Sequence, residues 1–132
     1  MMQTMGNTIE TEEAMTVSDI VRIAPGSRMS QAVVFGDLIW LAGQVGSPGE
    51  SITVQTEAIL DKIERLLGEA DSNKSRILQA TIWLASMDDF GEMNAVWDTW
   101  IDPKNPPARA CGESRLAKPD LLVEIIVIAA KL

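Results

Sequence analysis

Short apolar runs begin at Ile20, and their spacing changes along the chain in a way that separates strands from helices. Residues 31–35 and 38–42 are β-type segments separated by Gly36-Asp37, and glycine tolerates the positive φ that a tight hairpin turn requires. Gly43 and then Gly46-Ser47-Pro48-Gly49 break the strand pattern. Over 53–70 the period lengthens: Ile59, Ile63, Leu66, Leu67 and Ala70 fall at three- and four-residue spacing, the apolar face of a helix whose last turn Gly68 weakens. Over 76–84 the period returns to two, with Leu78, Ala80, Ile82 and Leu84 on one face and Ile77, Gln79, Thr81 and Trp83 on the other. Ser86 or Asp88 is placed to cap a second helix carrying Phe90, Met93, Trp97 and Trp100 at helical spacing. Pro103, Pro106 and Pro107 end that helix, because proline cannot continue its hydrogen-bond ladder. Residues 108–114 and 121–130 are the last two strands, joined through Lys118-Pro119-Asp120.

This order predicts an α+β fold: a single mixed β-sheet of about six strands with two α-helices packed on one face. Residues 1–15 are polar and aperiodic and are expected to form a flexible extension, leaving 16–132 as one domain. The sheet face without helices must meet water or a partner. Strand 121–130 is apolar on both faces, which favours burial on both sides and hence an oligomer formed through the sheet.

Composition narrows the chemistry more than the fold. The 132 residues are 46% hydrophobic, enough for a real core, and the net charge is −8. An acidic surface repels nucleic acid and anionic membrane, and the eleven Lys and Arg are scattered singly. The longest apolar stretch, 121–130, is too short for a bilayer and is interrupted by Glu124, and the N-terminus has no basic-then-apolar signal pattern. A single Cys rules out an internal disulfide and suits a reducing cytoplasm. With no His and no Tyr, the usual Ser-His-Asp and Cys-His sites and His-ligated zinc are absent. Carboxylates, Arg, Lys, hydroxyls, one thiol, backbone groups and water remain.

Two residues stand out within that set. Glu124 shares a strand face with Leu122, Ile126 and Ile128, where an unpaired carboxylate carries a desolvation cost of several kcal/mol. Arg109 shares a face with Cys111 and Glu113 in a run of small residues, 106–112, that leaves a guanidinium room to project. The pattern thus offers one cation and one anion on candidate neighbouring strands, and a buried Arg109–Glu124 bridge without catalytic role explains it equally well. Cys111 reads first as a small buried hydrophobe, and the four Trp as core or interface. Asn94 reads as a solvent-facing or tethering residue, and Gly43 as a bulge or close-approach glycine.

An ordered set of short pieces carries a resemblance that goes further. These are 30–33 (Ser-Gln-Ala-Val), 41–45 (Leu-Ala-Gly-Gln-Val), Gln55-Thr56, 87–90 (Met-Asp-Asp-Phe), Met93-Asn94, 107–111 (Pro-Ala-Arg-Ala-Cys), Leu116 and 123–125 (Val-Glu-Ile). In this order and spacing the chain resembles the RidA/YjgF family of imine and enamine deaminases, also labelled endoribonuclease L-PSP-like. The resemblance implies a chorismate-mutase-like fold and a homotrimer with sheets inward and ligand pockets between subunits. It also implies hydrolysis of reactive 2-imino acids to 2-oxo acids and ammonia, in the cytoplasm, without metal or cofactor. Arg109 would hold the substrate carboxylate, since a guanidinium binds it bidentately at any relevant pH. Glu124 would orient and activate water, and Gly43, Cys111 and Asn94 would complete the pocket. Met29 stands where many members carry a tyrosine, and the loop 46–51 is short, so a divergent subgroup is implied. Two other readings remain: a trimer that binds small carboxylates without turnover, and an endoribonuclease.

Overall fold

The hairpin forms at Gly36-Asp37, where Gly36 takes a φ of 61°. A Cβ built on Gly36 would meet nothing within 4 Å, so the glycine is needed for its backbone angle and not for space. The structure, a computed structural model, describes residues 19–132, and the expected extension over 1–15 lies outside the described residues. Strands β1 (Ile20–Ile23), β2 (Ala32–Phe35), β3 (Leu38–Leu41) and β4 (Gln44–Val45) precede helix α1 (Ile52–Glu69). Strand β5 (Ile77–Leu84), helix α2 (Phe90–Trp100) and strands β6 (Ala108–Glu113) and β7 (Val123–Ala130) complete the domain.

The sheet has seven strands in the order β1-β2-β3-β7-β5-β6, with β4 also paired to β7. All pairs are antiparallel except β5 with β6, which the intervening α2 makes parallel. The strand beyond the expected six is β4. After the break at Ala42-Gly43 the chain re-enters the sheet for two residues, Gln44 opposite Ile125 and Val45 opposite Glu124, too few to show a period.

Both helices cover one face. Ala80, Ile82, Leu84, Val123, Ile125, Val127 and Ala129 meet Ile59, Leu60, Ile63 and Leu67 of α1 and Met93 and Trp97 of α2 in one buried cluster. Each large aliphatic side chain buried there stabilises the fold by about 1.5–3 kcal/mol. Ser51 caps α1 by accepting from the Val54 N–H at 3.1 Å, and the helix runs through Gly68, which faces open space. Gln55, fully buried on α1, donates to the carbonyls of Glu50 (2.9 Å) and Asp120 (3.0 Å) and accepts from Leu122 N–H (2.9 Å), tying the helix start to the approach of β7.

Two sequence expectations change. Ile77 is buried and Leu78 is 48% exposed, because a register irregularity between Ile77 and Gln79 inverts the alternation at the start of β5; from Gln79 onward it holds. Phe90 is 38% exposed instead of joining the apolar stripe of α2, since the chain enters that helix through a short 3-10 turn, Met87–Asp89, which Ser86 caps. After α2, Asp102 accepts from Ser75 Oγ (2.7 Å), Asn105 Nδ2 (2.8 Å) and Lys104 N–H (3.0 Å), and these bonds hold its carboxyl down at about 2. Among the described residues no helix is long and apolar enough to cross a membrane.

Candidate active site

The residues singled out from sequence fall into two groups. The first lies where β6, the edge strand, runs beside α2. Arg109 and Cys111 are opposite Ala80 and Ile82, both fully buried under the helices, so they face the helix side of the sheet. The Arg109 guanidinium carbon stands 5.3 Å from the centroid of the Trp97 ring on α2. Asn94, half-buried, is three residues before Trp97 and so on the same flank of that helix. Cys111 is half-buried against the core; burial pushes its thiol up, with the Arg109 charge pulling weakly the other way, so the neutral thiol is favoured. Glu113, next on this face, accepts from Met87 N–H at 3.0 Å.

The second group lies on the face that neither described helix covers. Glu124, half-buried in the central strand β7, is opposite Val45 on one side and Trp83 on the other. Its carboxylate lies against Gly43. A Cβ built there would stand 2.8 Å from Glu124 Cδ and 3.1 Å from Cγ, with Oε2 closer still, so only glycine leaves that position open. The segment is held in turn: Gln44 Nε2 donates to Gln31 Oε1 (3.1 Å) and to Ala42 O (3.0 Å), and Ala42 N–H donates to Gln31 O (2.9 Å). Trp83 reaches over Gly112, where a Cβ would meet the ring at 3.1 Å. Gln31 and Gln44 belong to the quoted sequence pieces, but nothing in the residue pattern marks them as the support of Gly43. Met29 is 47% exposed in the segment leading to β2, on neither strand of either group.

The placement of the cation and the anion on neighbouring strands is corrected here. Strand β5 lies between β6 and β7, and the two residues are on opposite faces, Arg109 level with Ala80 and Glu124 level with Trp83. An Arg109–Glu124 bridge within one chain is therefore excluded. Parity along a strand tells which residues share a face, and strand order decides whether two such faces meet. A cavity of about 740 Å³ does open on the single chain, lined by Glu113, Ser114, Arg115, Leu116 and Lys118 among others, and it contains neither Arg109 nor Glu124. Among the described residues no three of Cys, Asp and Glu are grouped to hold a metal ion.

Comparison with known proteins places the chain. The family model described as Endoribonuclease L-PSP matches residues 19–131. A RutC family protein of Haemophilus ducreyi is 41% identical over 112 residues, 84% of this chain and 96% of that protein. The chain belongs to the YjgF/RutC family. A second RutC family protein, from Haemophilus influenzae, is 42% identical over 83% of this chain and 97% of its own. The crystal structure of a YjgF-family protein from Neisseria meningitidis superimposes with a TM-score of 0.86 at 43% identity, covering 88% of this chain and 98% of that one. In this YjgF/RutC chain, then, the two groups of side chains belong to the shared domain and not to an addition outside it.

Proposed function

We propose that this YjgF/RutC protein is a cofactor-free deaminase that hydrolyses 2-imino acids in the cytoplasm, at sites formed between copies of the chain in a homotrimer. The observation that carries the reading is the split arrangement itself. Arg109 stands at the edge of the sheet and Glu124 at the centre of a face that no helix among the described residues covers. That face bears Phe35, Leu38, Trp40 and Trp83, all exposed in the single chain, together with half-buried Ile126 and Ile128. A contiguous apolar sheet face of this kind needs a partner. A second copy seated on it brings the edge of one sheet, with Arg109, beside the centre of the next, with Glu124.

The chemistry follows from the two groups. Arg109 binds the carboxylate of R–C(=NH)–COO⁻ by two parallel N–H bonds and so fixes C2. Glu124 accepts a proton from water as the oxygen adds to C2, and the C=N electron pair moves to nitrogen, which takes up a proton. That proton is the one Glu124 took from water, and the resulting carbinolamine collapses as Glu124 relays its hydroxyl proton to the amine, forming the C=O bond and expelling ammonia. One water is consumed and nothing is oxidised or reduced. Imines hydrolyse readily in water, so holding the substrate and aiming one carboxylate at the water supplies what the reaction lacks. Asn94, Gly43 and Cys111 would line the pocket, the last as a neutral thiol, and Met29 would border it.

The test is competition for imines released by an L-amino-acid oxidase and trapped with semicarbazide. Wild-type protein should suppress the semicarbazone, and Arg109→Ala should not. Glu124→Gln should lower turnover by about 100-fold or more while still binding a 2-oxo acid. If Glu124→Gln and wild type suppress the trap equally, the catalytic assignment is wrong. If neither turns imine over but both bind 2-oxo acids, the protein is a carboxylate-binding trimer, a reading that Arg109 serves equally. The ribonuclease in the family description is disfavoured by a net charge of −8, which repels RNA.

A further inference from the structure

We infer that Trp97 is the positioning residue of the site: its ring holds the Arg109 guanidinium by one face and leaves the N–H edge free to take a carboxylate. The inference rests on the reading of Arg109 given above and concerns how that side chain is kept in place. Arg109 is exposed on an edge strand among small residues, Ala108 and Ala110 beside it, and a long side chain there has many rotamers to choose from. Among the described residues its partner is the Trp97 ring, 5.3 Å from guanidinium carbon to centroid, within the range of a cation–π contact. A ring face attracts the cation without using any of its N–H groups, unlike a carboxylate partner, which would occupy the edge that the substrate needs.

The ring can do this because it is itself immobile. Trp97 is only 5% exposed and belongs to the core cluster. Trp100 backs it, with centroids 5.5 Å apart and planes tilted by 56°. Trp100 is fixed in turn by Nε1, which donates to Glu64 Oε1 on α1 at 2.7 Å, and by Lys74 Nζ, 5.4 Å from its centroid. The anchor of the flexible arginine thus runs through two indoles into both helices. Helical spacing alone places Trp97 and Trp100 in the apolar stripe of α2; the contact of one of them with Arg109 appears only once β6 is set beside that helix.

The test compares Trp97→Phe, which keeps a π face, with Trp97→Leu, which is apolar and close to Phe in size but has no face, by two independent readouts. The first is the NMR signal of the Arg109 side-chain Nε–H, which the ring should shift upfield in wild type and in Trp97→Phe but not in Trp97→Leu. The second is pyruvate titration: Trp97→Leu should bind about tenfold more weakly and Trp97→Phe within about threefold of wild type. In imine hydrolysis the Leu variant should raise KM, whereas simple loss of folded protein would lower apparent kcat and leave KM alone. An unshifted Nε–H in wild type, or pyruvate binding by Trp97→Leu equal to that of wild type, overturns the inference. A shifted signal in a wild-type protein that ignores pyruvate supports the platform and overturns instead the reading of Arg109 as a substrate clamp.

Discussion

Strand β7 contributes to both faces of the sheet, and its two faces are treated differently. Toward the helices, Val123, Ile125, Val127 and Ala129 are buried, and the buried amide nearby, Gln55, has all its partners inside the chain. Toward the other side, Glu124, Ile126, Ile128 and Ala130 stay half-buried, next to exposed Trp40 and Trp83. The covered face is complete in one molecule. The open face holds a carboxylate that lies against a glycine, among the exposed apolar side chains of Phe35, Leu38, Trp40 and Trp83. On the proposed function, stability and chemistry are divided between the two sides of one strand, and neighbouring residues on it should respond to mutation in different ways.

The largest effect is expected from Ile125→Ala on the covered face, about 3–4 kcal/mol of lost stability at any protein concentration. Ile126→Ala, one residue along but on the open face, should cost about 1 kcal/mol in dilute solution. If the proposed trimer forms through this face, its further cost should grow with protein concentration, as the substitution would weaken association and not the core. Urea melts at two protein concentrations a hundredfold apart check this; equal, concentration-independent costs would erase the distinction between the faces. Gly43→Ala comes next. The added Cβ displaces the flexible end of Glu124, so stability should fall by only about 1 kcal/mol. Imine hydrolysis should fall about 100-fold, and a variant with wild-type turnover would show that the carboxylate does not need that position. The smallest effect concerns Cys111 at the sheet edge. Burial raises its thiol above the ordinary value, so less thiolate is present at pH 8 than in the unfolded chain. Iodoacetamide should label the native protein several-fold more slowly than the urea-unfolded one, with the gap closing as pH rises, and equal rates at pH 8 would contradict the shift.

The covered side of the molecule was largely legible from residue order. The apolar stripe of α1, the alternation in β7 and the Gly36-Asp37 turn each depend on local spacing, and each formed where spacing places it. The inversion at Leu78 was not legible, because a bulge costs one residue of register and leaves no mark in the apolar pattern. Arg109 and Glu124 were legible as an unusual cation and an unusual anion. Their relation was not, since it depends on β7 inserting between β3 and β5, a choice made by long-range pairing that periodicity does not encode. The same holds for Trp97, whose tie to Arg109 exists only after β6 has been laid alongside α2.

The central position of β7 also bears on how the molecule comes into being. It is the last strand in chain order, yet it joins β3 and β4 on one side to β5 on the other. Without it the remaining strands fall into two separate groups, β1-β2-β3 and β5-β6, whose facing edges would have no partner. Closure of the sheet is therefore a long-range event, and Glu124 enters the fold with the strand that performs it.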